Sequence, residues 1–355
     1  MKATPRVWVG RRFNQSPWLA VNLSAVLPGL GQLYNGATAK GLTIAVAHLG
    51  LIGFIFWSIF APQGNTLRGL LTLFPLLVLY LANLWDSHRH VRPGLTLEAV
   101  SPLRYRPADP WYPVLLSHVL PGLGQLFLQQ ALAGGLLLML GIGTAYLANF
   151  HPLLLLIPPV IWAVGCGLAY AAAPASRRQW GMLAGLLIAI IIVRLMVGAT
   201  PVLVRQGVEQ CIVPSESMQP TLEVGDRTFV RRQPTYQPRS GEIVVFHNPE
   251  RPPPAAGADS DTLIVKRVIA LAGQRVEVRQ GQVWLDGSAL AEPCLTESPD
   301  YQWGPQTVPK NHLFVLGDNR NNSRDSHVWG FLSQVNMLGP AYKIYWPPHR
   351  IQPLS

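Results

Sequence analysis

Val26–Leu33 reads VLPGLGQL, and Val119–Leu126, 93 residues further on, reads VLPGLGQL again, followed by an aromatic residue in each case, Tyr34 or Phe127. An eight-residue identity at that spacing marks a duplication. Each copy leads into two apolar runs, Gly41–Ala61 and Gly69–Trp85 after the first, Leu132–Phe150 and Pro152–Ala173 after the second; a fifth run, Gly181–Val204, follows. A bilayer crossing takes about 20 apolar residues, with roughly 17–25 tolerated. All five runs qualify, the 17-residue Gly69–Trp85 at the lower limit. The two PGLGQ segments do not, because Pro28 and Gly29, like Pro121 and Gly122, interrupt them and free backbone groups that lipid cannot satisfy. They are expected to lie at the interface or to re-enter from one side.

The whole chain agrees with this reading. Of 355 residues 49% are hydrophobic and 13% charged, with mean hydropathy +0.23, which excludes a disordered chain and a single small soluble domain. The net charge of +10 is confined to residues 1–204, where 13 Lys and Arg face only Asp86, Glu98 and Asp109; residues 205–355 carry 15 charges of each sign. Positive residues standing between apolar runs orient membrane helices rather than bind nucleic acid. The basic N-terminus, the linker 86–110 and the loop with Arg177 and Arg178 then share the cytoplasmic face, giving five crossings with the C-terminus outside. Arg194 sits within the last run, at a cost of roughly 2.5–3.5 kcal/mol for an unpartnered arginine, and is expected to snorkel or face the bundle. Pro201 is expected to kink the end of that helix.

The second half reads as strands: Arg227–Arg232, Glu242–His247, Thr262–Ala270, Arg275–Val278, Val283–Leu285, Leu313–Leu316 and Ala341–Trp346 are β-branched or aromatic runs bounded by Gly, Pro and Asn. Asn248–Asp261 is expected to be a long exposed loop. The organisation is therefore an all-α membrane domain, with a repeat unit at 1–85, a basic linker at 86–110, a second unit at 111–175 and an anchor at 176–204, ahead of an all-β domain at 205–355.

Three segments of the β half could carry chemistry. Lys266 is one of only five lysines beside 23 arginines, and lies in the apolar strand TLIVKRVIAL. Arg267 points to the opposite face, so one of the two charges is aimed among apolar residues. Burial lowers a lysine pKa, and an amine made neutral in this way is a general base, although an isolated strand lysine is more often at a sheet edge or paired. In VPSESMQPTL, Val213–Leu222, two serines lie between Pro214 and Pro220, which is either an ordinary turn or a stiffened loop presenting a nucleophile. GDNRNNSRDS, Gly317–Ser326, is either an Asx-rich turn or a source of a hydroxyl that orients the base.

In this order the segments resemble the type I signal peptidases, membrane-bound Ser/Lys leader peptidases, through PSESMQPTLEVGD at Pro214–Asp226, SGEIVVF at Ser240–Phe246, VKRVIALAGQ at Val265–Gln274 and GDNRNNSRDSHVWG at Gly317–Gly330. Glu292–Pro309 looks most like the cyanobacterial and chloroplast branch. The resemblance implies Ser217 as nucleophile, Lys266 as general base, and the Ser215 hydroxyl with the Ser217 amide as oxyanion hole. It further implies Ser323 orienting the lysine, Asp318, Arg320 and Asp325 bracing their loop, and Val213, Pro214, Leu222, Ile264 and Val265 lining pockets for small substrate residues. It implies no metal or cofactor. Its partners would be preproteins with signal peptides, the lipid bilayer of a cytoplasmic or thylakoid membrane, and the translocation machinery, with the β domain on the periplasmic or lumenal side.

Glu216, Asn321 and His327 depart from the glycine, aspartate and arginine that many members carry. A Ser-His-Asp triad through His247, His312 or His327 is the rival chemistry, and it leaves Lys266 unexplained. The rival function is a catalytically inactive membrane scaffold. Cys211 and Cys294 would share the oxidising side, which raises a disulfide as an expectation.

Overall fold

Long apolar runs satisfy their own backbone only as helices, whereas short β-branched runs need partner strands, and the chain divides accordingly. The computed structural model describes residues 16–89, 109–174, 178–233, 236–249, 263–293, 295 and 297–354. The helices are α1 (Pro17–Val26), α2 (Leu30–Tyr34), α3 (Thr38–Phe60), α4 (Thr66–Leu71), α5 (Leu73–Arg89), α6 (Trp111–Val119), α7 (Leu123–Phe127), α8 (Ala131–Leu147), α9 (Ile157–Ala172), α10 (Trp180–Gly207) and the single turn α11 (Ser326–Trp329). Four helical stretches, Thr38–Phe60, Thr66–Arg89, Leu153–Ala172 and Trp180–Gly207, are long and apolar enough to cross a membrane; α8 has 17 residues and is shorter. The run at the lower limit by sequence thus gains a turn at its amino end through α4, and the last helix continues through Pro201 to Gly207.

Two compact units result. One holds most of the helical half; the other joins Phe54–Leu71 to Val202–Ser355.

In the helical unit the duplication is visible atom by atom. After α1 and α6 the chain turns at Gly29 and Gly122, with φ of 94° and 95°, where a Cβ would meet the Gly41 and Gly134 carbonyl oxygens at 2.2 and 2.1 Å. Only glycine fits. The Ser24 and Ser117 hydroxyls accept from the Gly31 and Gly124 amides, each at 3.0 Å, and the Gln32 and Gln125 amides donate to the backbone carbonyls of Asn83 and Gly165. PGLGQ is therefore a helix break that carries its own hydrogen-bond partners, which is what non-helical backbone among apolar helices requires. Arg194 faces the bundle, donating to the His118 carbonyl at 2.6 Å, close to the end of α6, and lying 4.4 Å from the centroid of the Trp162 ring.

The β half contains β1 (Val208–Ile212), β2 (Arg227–Arg231), β3 (Ile243–His247), β4 (Leu263–Ala270), β5 (Arg275–Arg279), β6 (Gln282–Leu285), β7 (Ser288–Ala289), β8 (Trp303–Thr307), β9 (His312–Leu316), β10 (Leu332–Ser333), β11 (Met337–Trp346) and β12 (Gln352–Pro353). The larger antiparallel sheet runs β1-β2-β11-β3-β4-β9-β10 with β12 on β11, and the smaller runs β7-β6-β5-β8. All seven expected strands are present. β1 and β8 were not anticipated: β1 continues directly from α10, and β8 contains Gly304 and Pro305, which read as a turn. Cys211 is a free buried thiol on β1, its pKa raised to about 11 by burial; Cys294, the disulfide partner expected for it, lies outside the described residues, as do 250–262 of the expected loop.

Candidate active site

Ser217 is held by apolar packing of its own neighbours. It lies in a single helical turn, Glu216–Met218, and the Met218 side chain is buried with Val213, Leu222, Val265, Val230 and Ile243 in one core cluster. Leu222 accordingly lies in the core and does not line the cleft, contrary to the pocket role the resemblance implied: a side chain 0% exposed touches its neighbours rather than a ligand. The other four expected positions, Val213, Pro214, Ile264 and Val265, do line a cleft of about 680 Å³ together with Ser215, Glu216, Ser217 and Lys266.

Lys266 stands in the middle of β4, paired with Val244 of β3, and reaches across so that its Nζ lies 2.5 Å from Ser217 Oγ. It is 4% exposed and Ser217 8%. Burial pulls the lysine pKa down to about 8, against the opposing pull of the Asp325 and Asp318 carboxylates. Ser215 Oγ is 3.2 Å from Ser217 Oγ. His312 and His327 take other partners, the Lys310 carbonyl and the Asp325 carboxylate.

Arg267 is buried as well, at 9% exposed, so the strand carries two buried charges rather than one. The second is neutralised: Arg267 Nε and an Nη donate to the two Asp318 oxygens at 2.7 and 2.6 Å, and the Thr221 hydroxyl donates to Asp318 at 2.5 Å. This ion pair ties β4, the Ser217 loop and the loop after β9 together. Arg320 forks onto Glu292 at 2.8 and 2.5 Å and donates from Nε to the Gly317 carbonyl; Asp325 accepts from the Gly317 amide at 2.9 Å. The Asn319 amide donates to the Ser217 carbonyl at 3.1 Å. A Cβ on Gly317 would lie 2.4 Å from that same carbonyl, so the glycine is what lets the loop approach Ser217.

One expected contact is absent. The Ser323 hydroxyl is buried without a hydrogen-bond partner among the described residues, whereas it was expected to orient the lysine. Thr221, Arg267 and Glu292 are the bracing residues that sequence reading missed; the loop carries two aspartates and two arginines, which shows that it needs partners but not which distant residues supply them.

A family model described as signal peptidase, peptidase S26, matches residues 178–346. Signal peptidase I of Leptolyngbya laminosa is 44% identical over 145 residues, covering 40% of this chain and 71% of its own. Probable signal peptidase I-1 of Synechocystis sp. is 48% identical over 140 residues, covering 39% and 71%. Thylakoidal processing peptidase 1, chloroplastic, of Arabidopsis thaliana is 38% identical over 146 residues, covering 39% of this chain and 42% of its own.

Proposed function

Since the chain belongs to the signal peptidase I family of serine peptidases and cleaves signal peptides from preproteins, we propose that Ser217 is its nucleophile and Lys266 its general base. The observation that carries this is the 2.5 Å approach of Nζ to Oγ at a lysine whose surroundings disfavour its charge. Ser217 Oγ attacks the carbonyl after a small residue seated against Val213, Pro214, Ile264 and Val265, and Lys266 accepts the hydroxyl proton. The Ser215 hydroxyl and the Ser217 amide stabilise the oxyanion. Lys266 then protonates the leaving amine, and a water activated by the same neutral amine releases the acyl group.

The base works only without its proton, so activity must rise with pH. For a soluble Ala-x-Ala peptide, kcat/KM of the full chain is expected to climb about tenfold per unit below the lysine pKa, pass its midpoint at about 8 and level off above it. A profile flat between pH 6 and 9 removes Lys266 from the role of base.

The membrane reading is part of the same proposal. The chain crosses the bilayer five times, α8 included, with the linker 86–110 inside and the β domain outside, where the substrate's cleavage site emerges beside the translocation machinery. In intact cells, in a chain whose three native cysteines are replaced by serine, an impermeant maleimide should label Ser298→Cys directly and Arg104→Cys only after permeabilisation; the reverse pattern overturns the orientation.

A further inference from the structure

The cleft accounts for one of the two buried lysines of the β half. The other, Lys343 on β11, is 0% exposed and does not line the cleft. No carboxylate pairs with it among the described residues. Its ammonium donates to three backbone carbonyls, those of Ser58 at 3.0 Å, Ile59 at 2.8 Å and Ala61 at 3.2 Å. These belong to the carboxyl end of α3, where the last carbonyls have no partner within the helix and the helix dipole presents its negative end. Three donors meet three acceptors, which is the full capacity of an ammonium.

The contact is more than one side chain deep. Phe229 on β2 is the cross-strand neighbour of Lys343, and its ring lies 5.5 Å from that of Phe60, the last residue of α3, and 4.1 Å from that of Tyr345 on β11. The Ser58 hydroxyl donates to the Asn65 carbonyl at 2.7 Å, closing the turn that leads into α4. The segment Phe54–Leu71 accordingly groups with the β half, although in sequence it lies inside the first repeat.

Burying an ammonium is unfavourable unless its hydrogen bonds are replaced, and an apolar residue of similar volume packs a sheet at a lower desolvation cost. What the lysine adds is a requirement for one particular set of carbonyls. The β sheet has its covalent attachment through α10, which runs without a break into β1. The carboxyl end of α3 gives the sheet a second point of attachment, through Lys343.

We propose that the end of α3 is a second anchor of the catalytic sheet, and that Lys343 is the positioning residue that locks it, fixing the height of the cleft for a substrate itself held in the bilayer. The proposal rests on the peptidase reading. It gives part of the duplicated module a task in processing: orienting the site so that the tethered cleavage sequence is presented at a high effective concentration.

The test uses the full chain in vesicles, with two substrates, a soluble Ala-x-Ala peptide and a membrane-anchored preprotein. K343M is expected to leave peptide cleavage unchanged, to slow preprotein processing about tenfold, and to speed amide exchange at residues 58–66 but not at 213–226. Phe60→Ala, which weakens the same contact from the helix side and leaves every charge in place, should act in the same direction by a smaller factor. It carries the test if K343M fails to fold. Wild-type preprotein processing in Phe60→Ala overturns the proposal, as does an equal loss on both substrates in a folded K343M. Ser217→Ala is the control that separates the two readings, since it should stop both reactions and leave exchange at 58–66 as in the wild type.

Discussion

Ser217→Ala and Lys266→Met are each expected to lower processing of an Ala-x-Ala preprotein by on the order of 10⁴ to 10⁶-fold, and the double variant should be no slower than either single one. The magnitude follows from the geometry. Ser217 Oγ lies 2.5 Å from Lys266 Nζ and 3.2 Å from Ser215 Oγ, and a second hydroxyl is no base at neutral pH. His327 is committed to Asp325, with its ring stacked 4.1 Å from that of Tyr301. A serine without its base, or a base without its serine, leaves only the oxyanion donors and the cleft, so the two losses do not add. Lys266→Arg is the sharper variant: it keeps the length and the charge, but a guanidinium does not lose its proton in a protein, and it should be as slow as Lys266→Met. Single-turnover rates measured beside thermal melts separate chemistry from folding. Arginine at this position supporting even a hundredth of the wild-type rate would remove proton acceptance from the mechanism.

The dyad was legible in the sequence because its chemistry leaves marks that are local: a lysine inside an apolar strand, two serines between prolines, a polar loop leaving a strand. The strands were legible for the same reason, and their bounds hold to within a residue or two except for β11, which begins at Met337 rather than Ala341. What escaped is what depends on a partner far along the chain. β1 offers only VEQCI after a long helix, with Gly207 alone at the junction, and it becomes a strand by pairing with β2. Arg267 looked like the outward half of an alternating pair; Asp318, 51 residues away, makes it an interior residue. Leu222 lies in a matched motif, yet its side chain belongs to the core cluster that seats Met218. The PGLGQ repeat is the reverse case. Its glycines announced a break in the helix, but the reason for the glutamine appears only when Gln32 and Gln125 reach the backbone of α5 and α9.

The Arg267–Asp318 pair gives the second large effect, and its two halves should fail differently. Removing either partner strands a buried charge, and the cost is about 3–5 kcal/mol of stability for each single variant. R267M leaves the Asp318 carboxylate, 1% exposed, without its countercharge. That carboxylate already draws the Lys266 pKa upward, and with the guanidinium gone its pull is unopposed, so the midpoint of the pH–rate profile should move above that of the wild type. Asp318→Ala removes the pull and should move the midpoint below the wild-type value. The stability loss has the same sign in both variants while the pH displacement has opposite signs. A pair that merely braced the loop would lower both denaturation midpoints and leave both pH profiles where they are. Replacing both residues by apolar ones of similar size, R267M with D318L, should recover most of the stability without restoring the wild-type profile, because an apolar pair packs the site but supplies no field. If R267M and Asp318→Ala displaced the profile in the same direction, the lysine would be answering to a change in packing rather than to the charge beside it.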